Sequence, residues 1–184
     1  MIMDALEKGD SWKLRPSSIL ALHRAALEGI SSYAGNFRPS GVAIQGSSHQ
    51  PVDAYRVPEL IEDMCDYVNA HWNDRTAIHL ASYIMWRLNW IHPFSDGNGR
   101  TSRMVSYLVL CVKLGLLLPG RNTIPDQIVD NRKPYFEALE SADKNEANGV
   151  IDLSNMEALI ESMLAVQLMS VLETATGRQL LQPE

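Results

Sequence analysis

The sequence predicts an all-α domain that carries one small β-hairpin. Apolar residues recur three or four positions apart through most of the 184-residue chain, which is the spacing of amphipathic helices. Residues 34–56 break this pattern with turn-forming residues and two short apolar segments. The balance of 46% hydrophobic and 21% charged residues is typical of one globular domain with a sizeable core.

A helix, a turn-rich interval and a hairpin are predicted in the first third of the chain. Pro16 suits the first turn of a helix whose apolar face ends near Gly29. Residues 34–41 are rich in turn-forming residues. Two short strands, at residues 42–44 and 52–55, are predicted to form a hairpin with a mobile tip.

Five more helices are predicted after the hairpin. Pro58 suits the start of the first, and Thr76 can cap the second, which runs directly into His92. This second helix is apolar on several sides, so we expect it to be central. The other three are predicted at residues 101–116, at residues 131–147, and from a cap at Asp152 or Ser154 to about residue 174.

The chain is predicted to divide into an N-terminal extension at residues 1–16, a helical domain at residues 17–176 and a flexible tail at residues 177–184. The net charge of −6 argues against a general nucleic-acid binder. The chain starts without a secretory signal pattern and has no uninterrupted apolar run of about 18 residues, so we expect no membrane span. Cys65 and Cys111 are predicted to be buried free thiols, and the cytoplasm is the expected compartment.

The segment between His92 and Arg103 combines groups that suit phosphate chemistry. Residues 97–99, Gly-Asn-Gly, precede a helix, where backbone N–H groups and the helix dipole favour an anion. Arg100 and Arg103 add two permanent cations on one side of that helix. Asp96 makes sense beside phosphate when a divalent metal bridges the two, and His92 can accept a proton near neutral pH.

Each of these features alone also has an ordinary structural explanation. A Gly-Asn-Gly segment is usually a turn, an arginine pair is usually a solvated face, and a histidine at a helix end usually packs or caps. Their order within twelve residues favours a base, a metal ligand and a phosphate cradle that act together.

Residues 92–103 resemble the signature of the Fic (filamentation induced by cAMP) family, His-Pro-Phe-x-Asp/Glu-Gly-Asn-Gly-Arg-x-x-Arg, at every specified position. The resemblance extends over residues 17–165, through blocks around His23, at residues 34–38 and at residues 131–139. It implies a Fic-type helical bundle around a central helix-loop-helix active site, with the predicted hairpin as a flap.

The resemblance further implies a protein adenylyltransferase that moves AMP from ATP to a Tyr, Thr or Ser hydroxyl of a target protein. His92 would be the base that deprotonates the hydroxyl, and Asp96 would hold Mg²⁺. The flap at residues 42–55 would pair with the target backbone as a strand does. The nucleotide phosphates would be bound by Gly97, Asn98, Gly99, Arg100 and Arg103, and Asn98 would also contribute its side chain.

Other functions of the same site stay open. The site would also suit AMP removal, the transfer of another nucleotide or phosphate-linked group, or non-catalytic nucleotide binding. The presence of His92 argues against the last, because binding alone needs no base. Glycine at positions 97 and 99 disfavours the kinase activity of the related Doc proteins, which the resemblance associates with larger residues there.

The inhibitory helix that many Fic proteins carry, Ser/Thr-x-x-x-Glu-Gly/Asn, has no match in this sequence. Glu28 and Gly29 follow Arg24 instead of Ser or Thr, and Ser141 is followed four residues later by Asn145. A separate antitoxin-like inhibitor, an N-terminal segment outside this chain or a degenerate motif would each explain this. The target, the acceptor residue and the oligomeric state, a homodimer included, stay open.

Several residues near the signature have predicted structural roles. Phe94 is expected to be a buried anchor for the loop. His23 and His79 are predicted to support the loop. Tyr135 and Asn131 are candidates for the border of an adenine site, with core packing as the alternative for Tyr135.

Overall fold

The computed structural model describes residues 1–47 and 49–176, and these residues form an all-helical fold. Two short 3-10 turns lie at Gly9–Ser11 and Ala54–Arg56. The α-helices of the described residues are α1 (Ile2–Glu7), α2 (Pro16–Leu27), α3 (Val57–Ala70), α4 (Ala77–Ile91), α5 (Asn98–Leu114), α6 (Ile124–Asp130), α7 (Lys133–Glu146) and α8 (Ser154–Thr176).

Helices α4 and α5 form the centre of the bundle and pack along each other. Helix α4 is largely buried, as its apolar sequence predicts, and contacts α3, α7 and α8 in addition to α5. Thr76 caps it as predicted, because its side chain accepts a hydrogen bond from the His79 N–H at 3.0 Å. Helix α5 ends at Gly115, which adopts a left-handed φ of 74°.

The predicted N-terminal extension packs against the domain. Trp12 and Leu14 are buried in the same core cluster as residues of α3 and α4. Asn69 of α3 fixes this segment, because its side-chain amide bonds both the N–H and the carbonyl of Leu14 at 2.9 Å. Helices α1 and α6 are too short to show a clear apolar period, and neither was predicted.

The predicted β-hairpin is absent from the described part of residues 42–55. Residues 42–44 and 52–53 form no strand, and a 3-10 turn begins at Ala54. The reason is Arg38, whose buried guanidinium donates to the carbonyl of Ser40 at 2.9 Å and to the carbonyl of Val52. One side chain therefore ties the two ends of this segment, and no strand pairing is needed. We call residues 42–55 the flap.

Within α8, Ser154–Glu173 are long and apolar enough to cross a membrane, by length and composition alone, with a mean hydropathy of 1.2. The chain has no uninterrupted apolar run of this length, and the stretch qualifies only through its average hydropathy. Helices that pack inside proteins meet the same criterion, and α8 contacts α4, α6 and α7. About 22% of the stretch is buried in the bundle. The predicted tail at residues 177–184 lies outside the described residues.

Candidate active site

His92 ends α4 in an uncommon backbone conformation. Its φ of 52° and ψ of 59° are left-handed, and no other non-glycine residue in the described chain has a positive φ. Arg38 holds this turn, since its side-chain Nε donates to the His92 carbonyl at 2.8 Å and its backbone N–H donates to the Pro93 carbonyl at 2.9 Å. Backbone strain persists only where neighbours over-determine it, so Arg38 is part of what positions His92.

The His92 imidazole is neutral at physiological pH. Burial lowers its pKa from 6.5 to about 4, and the nearby Arg38 and His49 add to the lowering. Its Nδ1 is buried and makes no hydrogen bond of regular geometry with the described residues, although the Asn89 carbonyl opposes the pKa shift. Nε2 is therefore the nitrogen through which the ring can exchange a proton with a bound molecule.

Phe94 anchors the loop, as the sequence predicts. Its side chain is fully buried and stacks on the His23 ring with the centroids 3.7 Å apart and the planes 6° from parallel. The Asn98 side chain accepts from the Phe94 N–H at 2.9 Å and donates to the Phe94 carbonyl at 2.7 Å. These two bonds hold the loop and leave the second N–H of the Asn98 amide as the side-chain donor for an anion, so the predicted contribution of this side chain stays a prediction.

His23 connects the loop to the segment after α2. Its Nδ1 accepts from the Gly35 N–H at 2.9 Å, so the proton of the neutral ring lies on Nε2, which donates to the Asp96 carbonyl at 3.1 Å. Burial lowers the pKa of His23, which favours this neutral form. The predicted support of the loop by His23 is thus confirmed. The prediction that His79 supports the loop is wrong. Its ring bonds Tyr67 at 3.0 Å and Glu157 at 2.7 Å and so links α3, α4 and α8.

Two glycines leave the start of α5 open. Gly97 has a φ of 77°, and a Cβ there would lie 2.9 Å from Leu27. A Cβ on Gly99 would lie 3.2 Å from the guanidinium of Arg103. Larger residues at these positions would therefore strain the loop or displace Arg103. The first-turn N–H groups of α5 can then face an anion, as the sequence predicts.

Three arginines surround this opening. Arg100 donates to the Ala26 carbonyl of α2 at 3.2 Å. Arg103 is partly buried, and burial lowers its pKa; the Tyr135 hydroxyl opposes this shift, while the positive charges of Arg132 and Arg100 add to it. None of the three pairs with a carboxylate within the described residues. The opening therefore has a net positive charge, since its lining residues include three arginines and one carboxylate, that of Asp96.

Asp96 borders the same opening. One carboxylate oxygen accepts from the Gly97 N–H at 2.6 Å, and the side chain is exposed. The part of the chain that the structure describes contains no group of three or more His, Cys, Asp or Glu side chains able to hold a metal. A Mg²⁺ site here would therefore rest on Asp96 and on oxygen ligands that arrive with a substrate.

Two cavities meet at His92. The first, which we call the slot, has a volume of about 200 Å³ and lies between the flap and α7. The second, which we call the cradle, has a volume of about 370 Å³ and contains Asp96, the glycines and the three arginines. Both cavities are lined by Asn89, His92 and Phe136. A molecule that filled both would pass directly beside the His92 ring.

Residues 13–110, more than half of the chain, match the sequence model described as the Fic/DOC family. This chain belongs to the Fic/DOC family. The predicted resemblance is thus confirmed, and the helical bundle around α4, the loop and α5 is a Fic-type fold.

Several relatives of this Fic chain are named protein adenylyltransferases. It is 30% identical over 128 residues to protein adenylyltransferase fic-1 of Caenorhabditis briggsae, with 67% of this chain and 23% of the relative covered. It is 34% identical over 132 residues to protein adenylyltransferase Fic of Drosophila persimilis, with 70% and 24% covered. A probable protein adenylyltransferase of Aquifex aeolicus is 31% identical over 110 residues, with 59% and 31% covered. The chain therefore spans less than a third of the length of these relatives.

Solved structures share the Fic fold with this chain. A Fic family protein from Desulfovibrio desulfuricans G20 has a TM-score of 0.68 and 26% identity, with 97% of this chain and 53% of that chain covered. A Fic domain containing protein from Bacteroides thetaiotaomicron has a TM-score of 0.73 and 19% identity, with 98% and 70% covered. The BepC protein of Bartonella tribocorum, solved with bound AMPPNP, has a TM-score of 0.59 and 12% identity, with 88% and 83% covered.

Sequence reasoning missed the slot of this Fic domain. Its helical wall is formed by Phe136, Leu139 and Asp143, which are three to seven residues apart on one side of α7. Phe136 is 50% exposed, and this exposure is visible only in the structure. Tyr135 instead packs in the core, where its hydroxyl accepts from Asn89 at 2.8 Å. Asn131 is exposed and lines neither cavity.

The flap closes the slot through His49. Its Nε2 lies 2.7 Å from the Trp90 carbonyl, and its Nδ1 lies 3.8 Å from a carboxylate oxygen of Asp143. The other oxygen of Asp143 accepts from the indole N–H of Trp86 at 2.8 Å. His49 therefore holds the flap against α4 and α7, a role that its place in a predicted loop did not indicate.

Proposed function

We propose that this chain is a protein adenylyltransferase that transfers AMP from ATP to a Tyr, Thr or Ser hydroxyl of a target protein. The observation that carries the proposal is the position of His92 between an apolar slot and a cationic cradle. The relatives named protein adenylyltransferases, at 30–34% identity, support the same reaction.

The two cavities match the two halves of ATP. Ile44 of the flap and Phe136 and Leu139 of α7 give the slot apolar walls, which suit a flat heteroaromatic base. The cradle offers backbone N–H groups and the guanidinium groups of Arg100 and Arg103 to the phosphates. The bound AMPPNP of the Bartonella tribocorum protein, a neighbour by fold, is in keeping with this assignment.

The proposed reaction is an in-line displacement at the α-phosphate. Nε2 of His92 removes the proton of the acceptor hydroxyl as its oxygen bonds to the α-phosphorus. The bond between that phosphorus and the bridging oxygen breaks, and pyrophosphate leaves with its negative charge held by the arginines. The neutral state of His92 leaves it ready to accept the proton, and the remaining catalysis comes from positioning and charge.

Asp96 is the residue that we assign to Mg²⁺. Its carboxylate uses one oxygen in the contact with Gly97, so the other oxygen can bind a cation beside the cradle. One carboxylate together with substrate phosphates is a common ligand set for Mg²⁺ in nucleotide enzymes. When bound there, Mg²⁺ would neutralise part of the phosphate charge.

The flap is proposed to dock the target protein. Between Gly41 and Gly46 the Ile44 carbonyl accepts from the Ser47 N–H, and no other backbone hydrogen bond involves this stretch within the described residues. This free backbone can pair with an extended segment of a target, so the strand predicted from the sequence would form on docking. A target held there would present its hydroxyl beside His92.

We further propose a cytoplasmic location, where ATP and Mg²⁺ are abundant and where the buried free thiols of Cys65 and Cys111 stay reduced. The unpaired arginines leave room for a carboxylate from a regulator. A separate antitoxin-like protein or a segment outside this chain would supply it.

Intact mass measurement tests the reaction type. The chain is incubated with ATP and Mg²⁺, alone and with cell lysate, and all protein products are weighed. A gain of one AMP unit on the chain or on a lysate protein is expected. A gain of one phosphate, or no gain under any condition, would contradict AMP transfer.

A further inference from the structure

Arg132 lies in the cradle together with the two arginines of the signature. Arg100 and Arg103 project from the first turns of α5, whereas Arg132 immediately precedes α7. All three line the same cavity. The cradle therefore has a cation on a second structural element, some thirty residues further along the chain and outside the twelve-residue signature.

Arg100 and Arg132 both lie in the same cavity as Arg103 and close enough to act on its charge. The charges of Arg132 and Arg100 both contribute to the lowered pKa of Arg103, after burial. None of the three has a carboxylate partner within residues 1–47 and 49–176, although the whole chain has a net charge of −6. Like charges at short distance destabilise a fold unless an anion compensates them, so this grouping fits a polyanionic ligand.

The geometry points to Arg132 as a third phosphate-binding residue, which contacts the polyphosphate of the donor from the α7 side of the cradle. This inference rests on the proposed function, in which ATP is the donor. Cations on two structural elements of one cavity suit a ligand with several phosphates better than a ligand with one. Arg132 would therefore favour a triphosphate over a monophosphate.

The neighbouring Lys133 provides a matched control. It carries the same charge, is exposed, and lies 3.9 Å from Glu137 on the surface of α7. It does not line the cradle. Arg132→Gln and Lys133→Gln therefore remove one positive charge from adjacent positions, one inside the cavity and one outside it.

Calorimetric binding of ATP, AMP and inorganic tripolyphosphate, each with Mg²⁺, tests the inference. The variants are made in a His92→Ala chain so that ATP is not consumed. Arg132→Gln is expected to lower the affinity for ATP and for tripolyphosphate by about tenfold, and the affinity for AMP by less than about twofold. Arg132→Lys should recover part of the loss, and Lys133→Gln should change none of the three.

An equal loss of ATP and AMP affinity in Arg132→Gln, or an equal loss of ATP affinity in Lys133→Gln, would overturn the inference. Thermal melting of each variant separates misfolding from lost contacts, and the Arg132→Lys chain gives a second reading if Arg132→Gln unfolds. Selective loss of tripolyphosphate affinity supports Arg132 as a phosphate ligand even when wild-type chain transfers no AMP. Conversely, if the wild type transfers AMP but Arg132→Gln binds ATP and tripolyphosphate as tightly as the parent chain, the inference about Arg132 is rejected and the proposed function stands.

Discussion

Residues 92–103, which form the loop and the start of α5, meet the flap at His92, but the two regions are held in different ways. The loop is fixed by buried side chains, with Phe94 stacked on His23 and Asn98 bonded to both backbone groups of Phe94. The flap is mostly exposed and is tied at its ends by Arg38 and in its middle by His49.

This contrast matches two different tasks. Groups that stabilise developing charge on phosphate work best when they are fixed before the substrate arrives. A surface that receives an extended segment of another protein has to keep free backbone groups and to adapt to its partner. The fixed loop therefore suits the proposed chemistry, and the loosely held flap suits target docking.

The largest expected effect on stability comes from alanine in place of one glycine in each region, where both glycines have a left-handed backbone. Gly97 and Gly46 have nearly the same φ, 77° and 79°, but a Cβ would lie 2.9 Å from Leu27 at Gly97 and meets nothing within 4 Å at Gly46. Gly97→Ala should lower the free energy of unfolding by about 2–4 kcal/mol and abolish ATP binding, whereas Gly46→Ala should cost about 1 kcal/mol. Denaturant unfolding and calorimetry check this, and equal costs at both sites would contradict the contrast.

Removal of the hydrogen bonds of His23 should have the next largest effect. His23→Phe keeps the stack on Phe94 but loses the bonds to Gly35 and Asp96, so the unfolding free energy should fall by about 1–3 kcal/mol. ATP affinity should also fall, because the loop loses its anchor. His79→Phe loses two hydrogen bonds far from the loop and is the control. Equal loss of ATP affinity in both variants would show that His23 has no specific role in the loop.

Stability should fall as the solution is acidified below pH 6.5. The pKa of His92 is about 4 in the folded chain and near 6.5 in the unfolded chain, so between these values the unfolded state binds more protons. The free energy of unfolding should therefore decrease by about 1–3 kcal/mol as the pH falls from 6.5 to 4, and His23, whose pKa is also lowered, should add to this. Denaturant titrations at a series of pH values give the free energy of unfolding across this range. This free energy should change less with pH in His92→Gln than in the wild type.

Proline in the flap should have the smallest effect on the fold and a selective effect on transfer. Successive N–H groups of an extended segment point to opposite sides, so Val42→Pro and Ala43→Pro remove donors on different edges. We expect one of them to reduce AMP transfer to a protein target several-fold, and the other to change it little. Neither should alter ATP affinity, or stability by more than about 0.5 kcal/mol. Unchanged transfer in both variants would argue against strand-like docking.

The sequence predicts the cradle better than any other part of the site, because its groups are contiguous. The helix end at His92, the buried Phe94 and the open glycines all follow from twelve neighbouring residues. The slot joins Ile44, His92 and Phe136, which are distant in sequence, and no local period reveals that they meet. The contribution of Arg132 is hidden for the same reason.

The failed predictions have a common physical origin in long-range side-chain contacts. The turn residues and short apolar segments of the flap predict a hairpin, but the buried Arg38 satisfies the carbonyls of Ser40 and Val52 instead. His79 lies on the helix that leads to the loop, yet Tyr67 and Glu157 engage it elsewhere. The contact between His79 and Glu157, which are 78 positions apart, leaves no periodic trace in the sequence.

The rate of AMP transfer by His92→Ala tests the central claim most directly. The label from α-³²P-ATP incorporated into protein is compared between this variant and His71→Ala, which removes a half-buried histidine that pairs with Asp74 and lines neither cavity. His92→Ala should transfer at least about 100-fold more slowly than the wild type, with ATP binding largely kept, while His71→Ala should match the wild type. Wild-type rates in His92→Ala would contradict the assignment of His92 as the base between the slot and the cradle.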